Sequence, residues 1–202
     1  MDLFYLAKWR ENNGDRELKF NYPLTEESVV FDLGGYKGDF AYNINKMYNS
    51  NVYVFEPSKN FYSECATRFA HNKKIKCFNY GLFDKSQSFL LSNEGDSSSI
   101  VKNTTPSNGE EVFIKNFGEE LNSLNITSID LLKINIEGAE YDLLTYLITS
   151  KHIQKIKHVL VQFHDFYPDA AILRDEIRNK LSETHINKWN YPFVWESWSK
   201  KD

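Results

Sequence analysis

From residue 29 onward, short apolar runs alternate with segments whose apolar positions recur at helical spacing. Val-Val-Phe-Asp-Leu at 29–33 ends at Gly34, Gly35 and Gly38, and Phe40, Ile44 and Met47 or Tyr48 then fall on one helical face. The pattern predicts strand, glycine turn, helix. A second strand is predicted at 51–55, and Pro57 and Ser58 mark the start of a helix over about 59–71, with Ser58 placed to cap its first amides. A third strand is predicted at 75–79, followed by Gly81, Asp84 and a short apolar stretch at 89–91. The clearest buried-strand pattern is 129–136, nearly continuous in Leu and Ile, leading through Gly138 into a helix over 139–147. A strand at 157–163 and a helix at 170–181 repeat the alternation.

Strands alternating with helices in this way specify a doubly wound α/β fold, a mostly parallel sheet covered on both faces. The end of the chain departs from the rule. Residues 185–189 and 193–198 read as two strands joined by Asn190-Tyr191-Pro192, so the sheet is expected to finish in a C-terminal antiparallel hairpin. Trp189, Trp195 and Trp198, with Tyr191 and Phe193, sit at hairpin spacing and read as packing residues. Residues 92–109, with Gly95, Asp96, Ser97, Ser98, Ser99 and Pro106, carry too little apolar surface to offset the entropy of ordering them. They read as a long loop and a candidate lid over an acceptor. Residues 1–28 read as an N-terminal extension that packs on the sheet or shields a ligand, and 29–202 as one domain.

Composition narrows the function classes. With 202 residues and 41% hydrophobic content the chain can build one core without disulfides, and Cys65 and Cys77 have neither disulfide-scaffold nor zinc-knuckle spacing. The 24 Lys and Arg against 28 Asp and Glu are mixed along the chain, with a net charge of -4. That distribution lacks the concentrated basic footprint of a duplex binder, so no nucleic-acid partner is expected. No apolar run approaches the roughly 20 residues that cross a bilayer, so no membrane span and a cytoplasmic location are expected.

The first strand ends in Asp32, and the small residues after it let a ligand approach the backbone at the start of a helix. Tyr36 and Asp39 break the GxGxxG fingerprint, and Asp39 would compete with a pyrophosphate for the helix amides. Glu56 closes the second strand 24 residues after Asp32, where a carboxylate can accept two hydrogen bonds from a ribose diol. These features favour an adenosine ligand without a pyrophosphate. A nicotinamide-dependent oxidoreductase on the same edge, and a nucleoside-binding interaction protein without turnover, are the alternatives.

The segments VVFDLGGYKGDF at 29–40, VYVFEPS at 52–58, Asn79-Tyr80-Gly81-Leu82 with Asp84, and IDLLKINIEGAEYDLL at 129–144 together resemble the FkbM-type methyltransferases. The resemblance runs from about residue 29 to about 164. It implies the class I S-adenosylmethionine fold, with S-adenosyl-L-methionine as cofactor and a small-molecule or saccharide hydroxyl as acceptor. It implies further that Asp32, Gly34 and Gly38 surround the methionine part of the cofactor, that Glu56 binds its ribose, and that Gly81 and Leu82, or Asp84, lie by the adenine. Where the family usually carries Asp between the Lys and the Glu, this chain has Asn135, which stays among the candidate cofactor contacts but offers no basic carboxylate.

A hydroxyl acceptor needs a route for its proton. Lys133, Asn135 and Glu137 end one predicted strand, and Gln162, His164 and Asp165 end the next, on the same carboxyl edge as Asp32 and Glu56. His164 is the imidazole with that placement and is the candidate general base, with Glu137 the competing base or substrate anchor. Lys133 reads either as a catalyst or as the structural partner of a neighbouring acid. Glu137, Glu140, His164 and Asp165 could also contribute to an oxygen-rich metal site, but nothing fixes a ligand count, and no metal is assigned.

Overall fold

A computed structural model describes residues 3–92, 109–166 and 168–202. Its main sheet has seven strands in the order β3-β2-β1-β7-β8-β10-β9. These are β1 (Val29–Leu33), β2 (Asn51–Phe55), β3 (Ile75–Phe78), β7 (Ile129–Ile134), β8 (Ile156–Val161), β9 (His185–Tyr191) and β10 (Trp195–Lys200). The first five are parallel, and β10 runs antiparallel between β8 and β9. The helices are α1 (Leu3–Glu11), α2 (Asp39–Tyr48), α3 (Lys59–Arg68), α4 (Phe117–Ser123), α5 (Glu140–Thr149) and α6 (Ala170–Leu181). A second, three-stranded sheet, order β4-β6-β5, is built from β4 (Gly81–Phe83), β5 (Gln87–Ser92) and β6 (Gly109–Asn116). The candidate lid meets the described residues only at its two ends, Ser92 closing β5 and Gly109 opening β6, and 93–108 lie outside them.

Period-two alternation along the buried strands sends side chains to two cores. Val30, Val52, Val54, Leu131 and Leu160 face α2, α3 and the N-terminal segment, where Trp9, Phe20, Phe40 and Ile44 meet them. Phe31, Leu33, Phe55, Leu132, Ile134 and Val159 face the other way, onto α4, α5 and α6 and the small sheet. Residues of the N-terminal extension therefore close one face of the sheet, with Trp9 against Trp189 and Tyr191 of β9.

Three local differences from the sequence pattern have identifiable causes. The helix expected over 59–71 ends at Arg68, because Phe69 turns in to pack against the backbone at Gly38. Ser58 makes no side-chain cap to α3; Glu110 of β6 accepts from Lys59 N at 2.7 Å and from Ser58 Oγ at 3.2 Å instead. The buried strand ends at Ile134 rather than 136, and the chain then turns through Glu137 (φ 51°) and Gly138 (φ 97°) into α5.

Candidate active site

The chain leaves β1 toward β2 and β3 on one side and returns to β7 and β8 on the other. In an open parallel sheet this reversal leaves a crevice at the carboxyl ends of the two central strands. A cavity of about 290 Å³ opens there, bounded by the ends of β1, β2 and β7 and roofed by Leu82, Phe83, Val112 and Ile114 of the small sheet. Of the residues singled out in the sequence it brings together Gly34, Glu56, Gly81, Leu82, Asn135 and Glu137.

Gly34 has φ 75°, and a Cβ there would stand 1.9 Å from the Asn135 carbonyl oxygen, so only glycine lets the two strand ends approach this closely. Glu56 is nearly buried at the end of β2. Its Oε2 accepts from Tyr36 N at 2.8 Å and its Oε1 from Ser58 N at 2.9 Å. These bonds aim the carboxylate and leave each oxygen further acceptor capacity on the cavity side. Burial pushes its pKa up to about 7 against the opposing effect of the two amides. Tyr36 is held at φ 48° by that bond and by Cys65 Sγ, which donates to its carbonyl. Asn79 fixes the other flank, donating to the carbonyls of Glu56 and Pro57.

Asp32, Gly38 and Asp84 do not line the cavity. Alternation in β1 turns Asp32 toward the α2 face, where it is fully buried against Lys133 of β7, Nζ to Oδ1 2.8 Å. The two are register partners in adjacent strands, and Lys133 also donates to Gly34 O at 2.7 Å. Lys133 is thus the structural partner of a neighbouring acid and ties the glycine turn to the sheet. Gly38 starts α2 at φ 80° beneath Phe69 and Cys65, so it shapes the turn from behind. Asp84 follows β4, and its carbonyl accepts from Asn116 Nδ2.

His164 stands beside the cavity rather than in its wall. Its Nδ1 lies 3.0 Å from Glu140 Oε1, and its Nε2 lies 3.5 Å from Oε2 of Glu137, which does line the cavity. Burial acts to lower the imidazole pKa, but the hydrogen bond and charge of Glu140, with the charges of Glu137 and Asp165, outweigh it and raise it above the ordinary value. Among the described residues no group of three or more His, Cys, Asp or Glu side chains is arranged to hold a metal ion.

Residues 32–191 match the family model described as the methyltransferase FkbM domain. The chain belongs to this family.

Similar folds occur in a candidate rRNA methylase of Clostridium thermocellum (10% identity, TM-score 0.57, 89% of each chain covered). They occur also in the fibrillarin pre-rRNA processing protein of Methanococcus jannaschii (11% identity, TM-score 0.54, 89% of this chain and 69% of that one). A third is a candidate methyltransferase of Streptococcus mutans in complex with S-adenosylhomocysteine (11% identity, TM-score 0.51, 88% and 91%). At these identities the likeness establishes the class I fold. No curated protein sequence matches the chain.

This FkbM-domain protein is therefore a methyltransferase with S-adenosylmethionine as cofactor. The cavity fits such a group: Glu56 keeps acceptor capacity at its wall, and Asn135 Oδ1 is buried without a hydrogen-bond partner among the described residues. Two contributions escaped the sequence pattern. The small sheet that roofs the cavity shows in the sequence only as an apolar stretch and a loop, because two of its strands pair across the segment of polar residues between them. Glu140 stands out in the sequence only as a possible metal ligand. Its signal was present, since it shares an i, i+3, i+4, i+7 stripe with Leu143, Leu144 and Leu147, all fully buried, and a carboxylate on such a stripe needs partners.

Proposed function

We propose that the protein transfers the methyl group to a hydroxyl oxygen of a small-molecule or saccharide acceptor, with His164 accepting the hydroxyl proton. The observation that carries this reading is the direction of the imidazole: Nδ1 is engaged by Glu140, which leaves Nε2 on the side of Glu137, a residue of the cavity wall. When bound, S-adenosylmethionine supplies an electrophilic methyl carbon whose bond to sulfur breaks as the new C–O bond forms. Glu56 would hold its ribose hydroxyls and Asn135 a donor of the cofactor. Glu137 orients the acceptor hydroxyl, whose proton passes to Nε2 of His164. Positioning in line with the methyl–sulfur bond and exclusion of water do the remainder.

The direct test offers a radiolabelled methyl donor with a panel of hydroxylated metabolites and oligosaccharides, and in parallel RNA and protein. Label recovered as a base-stable methyl ether on a small hydroxylic acceptor is expected. Label in RNA, or on nitrogen, overturns the reading.

Cofactor contacts have their own test in calorimetric titration of S-adenosylhomocysteine. Glu56→Ala is expected to weaken binding by about tenfold or more, through loss of charge-assisted bonds to the diol. A carboxylate can accept from both hydroxyls only when ionised, and Glu56 in the free protein titrates at about 7. Wild-type affinity is therefore expected to fall as pH drops below about 7 and to level off above it, whereas the Ala variant lacks this dependence. A wild-type affinity flat from pH 6 to 8 would count against ribose binding by Glu56.

A further inference from the structure

We infer that Glu140 is the positioning residue of the active site, setting the tautomer and direction of the His164 imidazole and, through the same carboxylate, the turn that carries Glu137. The inference rests on the reading of His164 as proton acceptor and extends it to a residue that touches neither the cavity nor a substrate.

Glu140 is the first residue of α5 and is fully buried. A carboxylate removed from water in this way is tolerated only when its lone pairs are filled. Oε1 accepts from the His164 backbone N–H at 2.7 Å and meets His164 Nδ1 at 3.0 Å, while Oε2 accepts from Gly138 N at 2.8 Å. Three donors from two chain segments thus converge on one side chain. An acceptor-only carboxylate facing Nδ1 requires the proton there, so the neutral imidazole carries its free lone pair on Nε2.

The bond to Gly138 acts on the other partner. Glu137 at φ 51° and Gly138 at φ 97° are consecutive left-handed residues, a conformation that costs a non-glycine residue energy and persists where neighbours hold it. Glu140 anchors that turn from inside the helix. Its neighbour Tyr141 adds a brace by donating its hydroxyl to the His164 carbonyl. The other histidines with resolved partners lack a carboxylate at either nitrogen: His158 meets Ser199, His185 meets Thr184 and the Ile156 carbonyl, and His152 meets Ser150. Burial lowers the pKa of all three, whereas that of His164 is raised by Glu140 on α5, Glu137 on the turn and Asp165 on its own loop.

The experiment compares Glu140→Gln with wild type over a pH series of single-turnover methyl transfer, alongside S-adenosylhomocysteine affinity. Gln keeps the shape but removes the charge, and on either side its amide nitrogen faces a backbone N–H, of His164 or of Gly138, so one of the bonds that fix the imidazole and the Glu137 turn is lost. The rate is expected to fall about 10²-fold or more, with cofactor affinity within about threefold of wild type. The remaining acidic limb is expected to move to lower pH, since the charge that raises the imidazole pKa is gone. An unchanged rate, or a lower rate with an unmoved limb, overturns the inference by reducing Glu140 to a structural residue. Failure of the underlying reading looks different: His164→Gln itself would keep both rate and limb. Should the variant not fold, nitrogen NMR of histidine-labelled wild type decides the point. The Nδ1–H tautomer of His164 above the limb is expected, and the Nε2–H tautomer overturns the inference.

Discussion

His164→Gln is expected to lower the single-turnover rate of methyl transfer by about 10²–10⁴-fold, the usual scale for loss of a general base. Cofactor affinity should be retained, because His164 lies outside the cavity wall that Glu56 and Asn135 share. The pH profile separates proton acceptance from mere placement of the acceptor. Only the neutral imidazole can take a proton, so the wild-type rate falls as pH drops through its pKa and reaches a plateau above it. The Glu140 bond and charge lift that pKa over the ordinary 6.5, so the limb is expected on the alkaline side of 6.5. His164→Gln should lack the limb altogether. A variant with normal rate and an unchanged limb moves the proton to Glu137 or to water.

The second large effect concerns stability. Lys133→Met is expected to destabilise the fold by about 3–5 kcal/mol, since it leaves the Asp32 carboxylate buried without its cation. For a chain of this size that corresponds to a fall in melting temperature of roughly 6–20 °C. Lys133 also donates to the carbonyls of Leu33 and Gly34, so the variant loses the tie between β7 and the glycine turn. Burial already raises the Asp32 pKa in the native protein, with Lys133 opposing it. Without Lys133 the carboxyl titrates higher still. A folded-state pKa above the unfolded value contributes stability at low pH that is lost as pH rises through it. The deficit of the variant should therefore shrink on acidification from pH 7 to 5. Asp32→Asn combined with Lys133→Met should recover much of the loss at neutral pH, because no unpaired charge remains. Thermal and urea melts of the single and double variants at both pH values check this; a single variant as stable as wild type at pH 7 would show that the pair is dispensable.

The two cores were legible because strand alternation and helical spacing report directly on which residues leave water. That the strands at 29–33, 51–55 and 129–134 are covered on both faces follows from their apolar runs, but which residues share a core depends on the register between strands, which sets Phe31 beside Leu132 and Val30 beside Leu131. The terminal hairpin was legible for the same reason, but not that β10 inserts beside β8 and leaves β9 at the edge, which depends on nonlocal pairing. The extension at 1–28 gave no strong helical stripe, and α1 is placed by Trp9 packing against β9. The small sheet escaped notice because β4 and β6 pair in parallel from distant parts of the chain, with β5 between them in sequence.

At the site, the sequence by itself determined which chemistry was available: acids at the ends of β1 and β2, glycines where backbones must meet, and an imidazole after β8. Residue type and strand period suffice for that, since both are local properties. Which of these side chains share a cavity was decided only by the tertiary structure. Asp32 and Glu56 both end parallel strands, yet Asp32 faces α2 and closes on Lys133, while Glu56 is drawn to the cavity by the amides of Tyr36 and Ser58. The pairing of Glu140 with His164 spans 24 residues and two elements, and it exists because α5 and the end of β8 pack together. No periodicity encodes such a bond, because its energy comes from filling the lone pairs of a charge that folding itself has taken out of water.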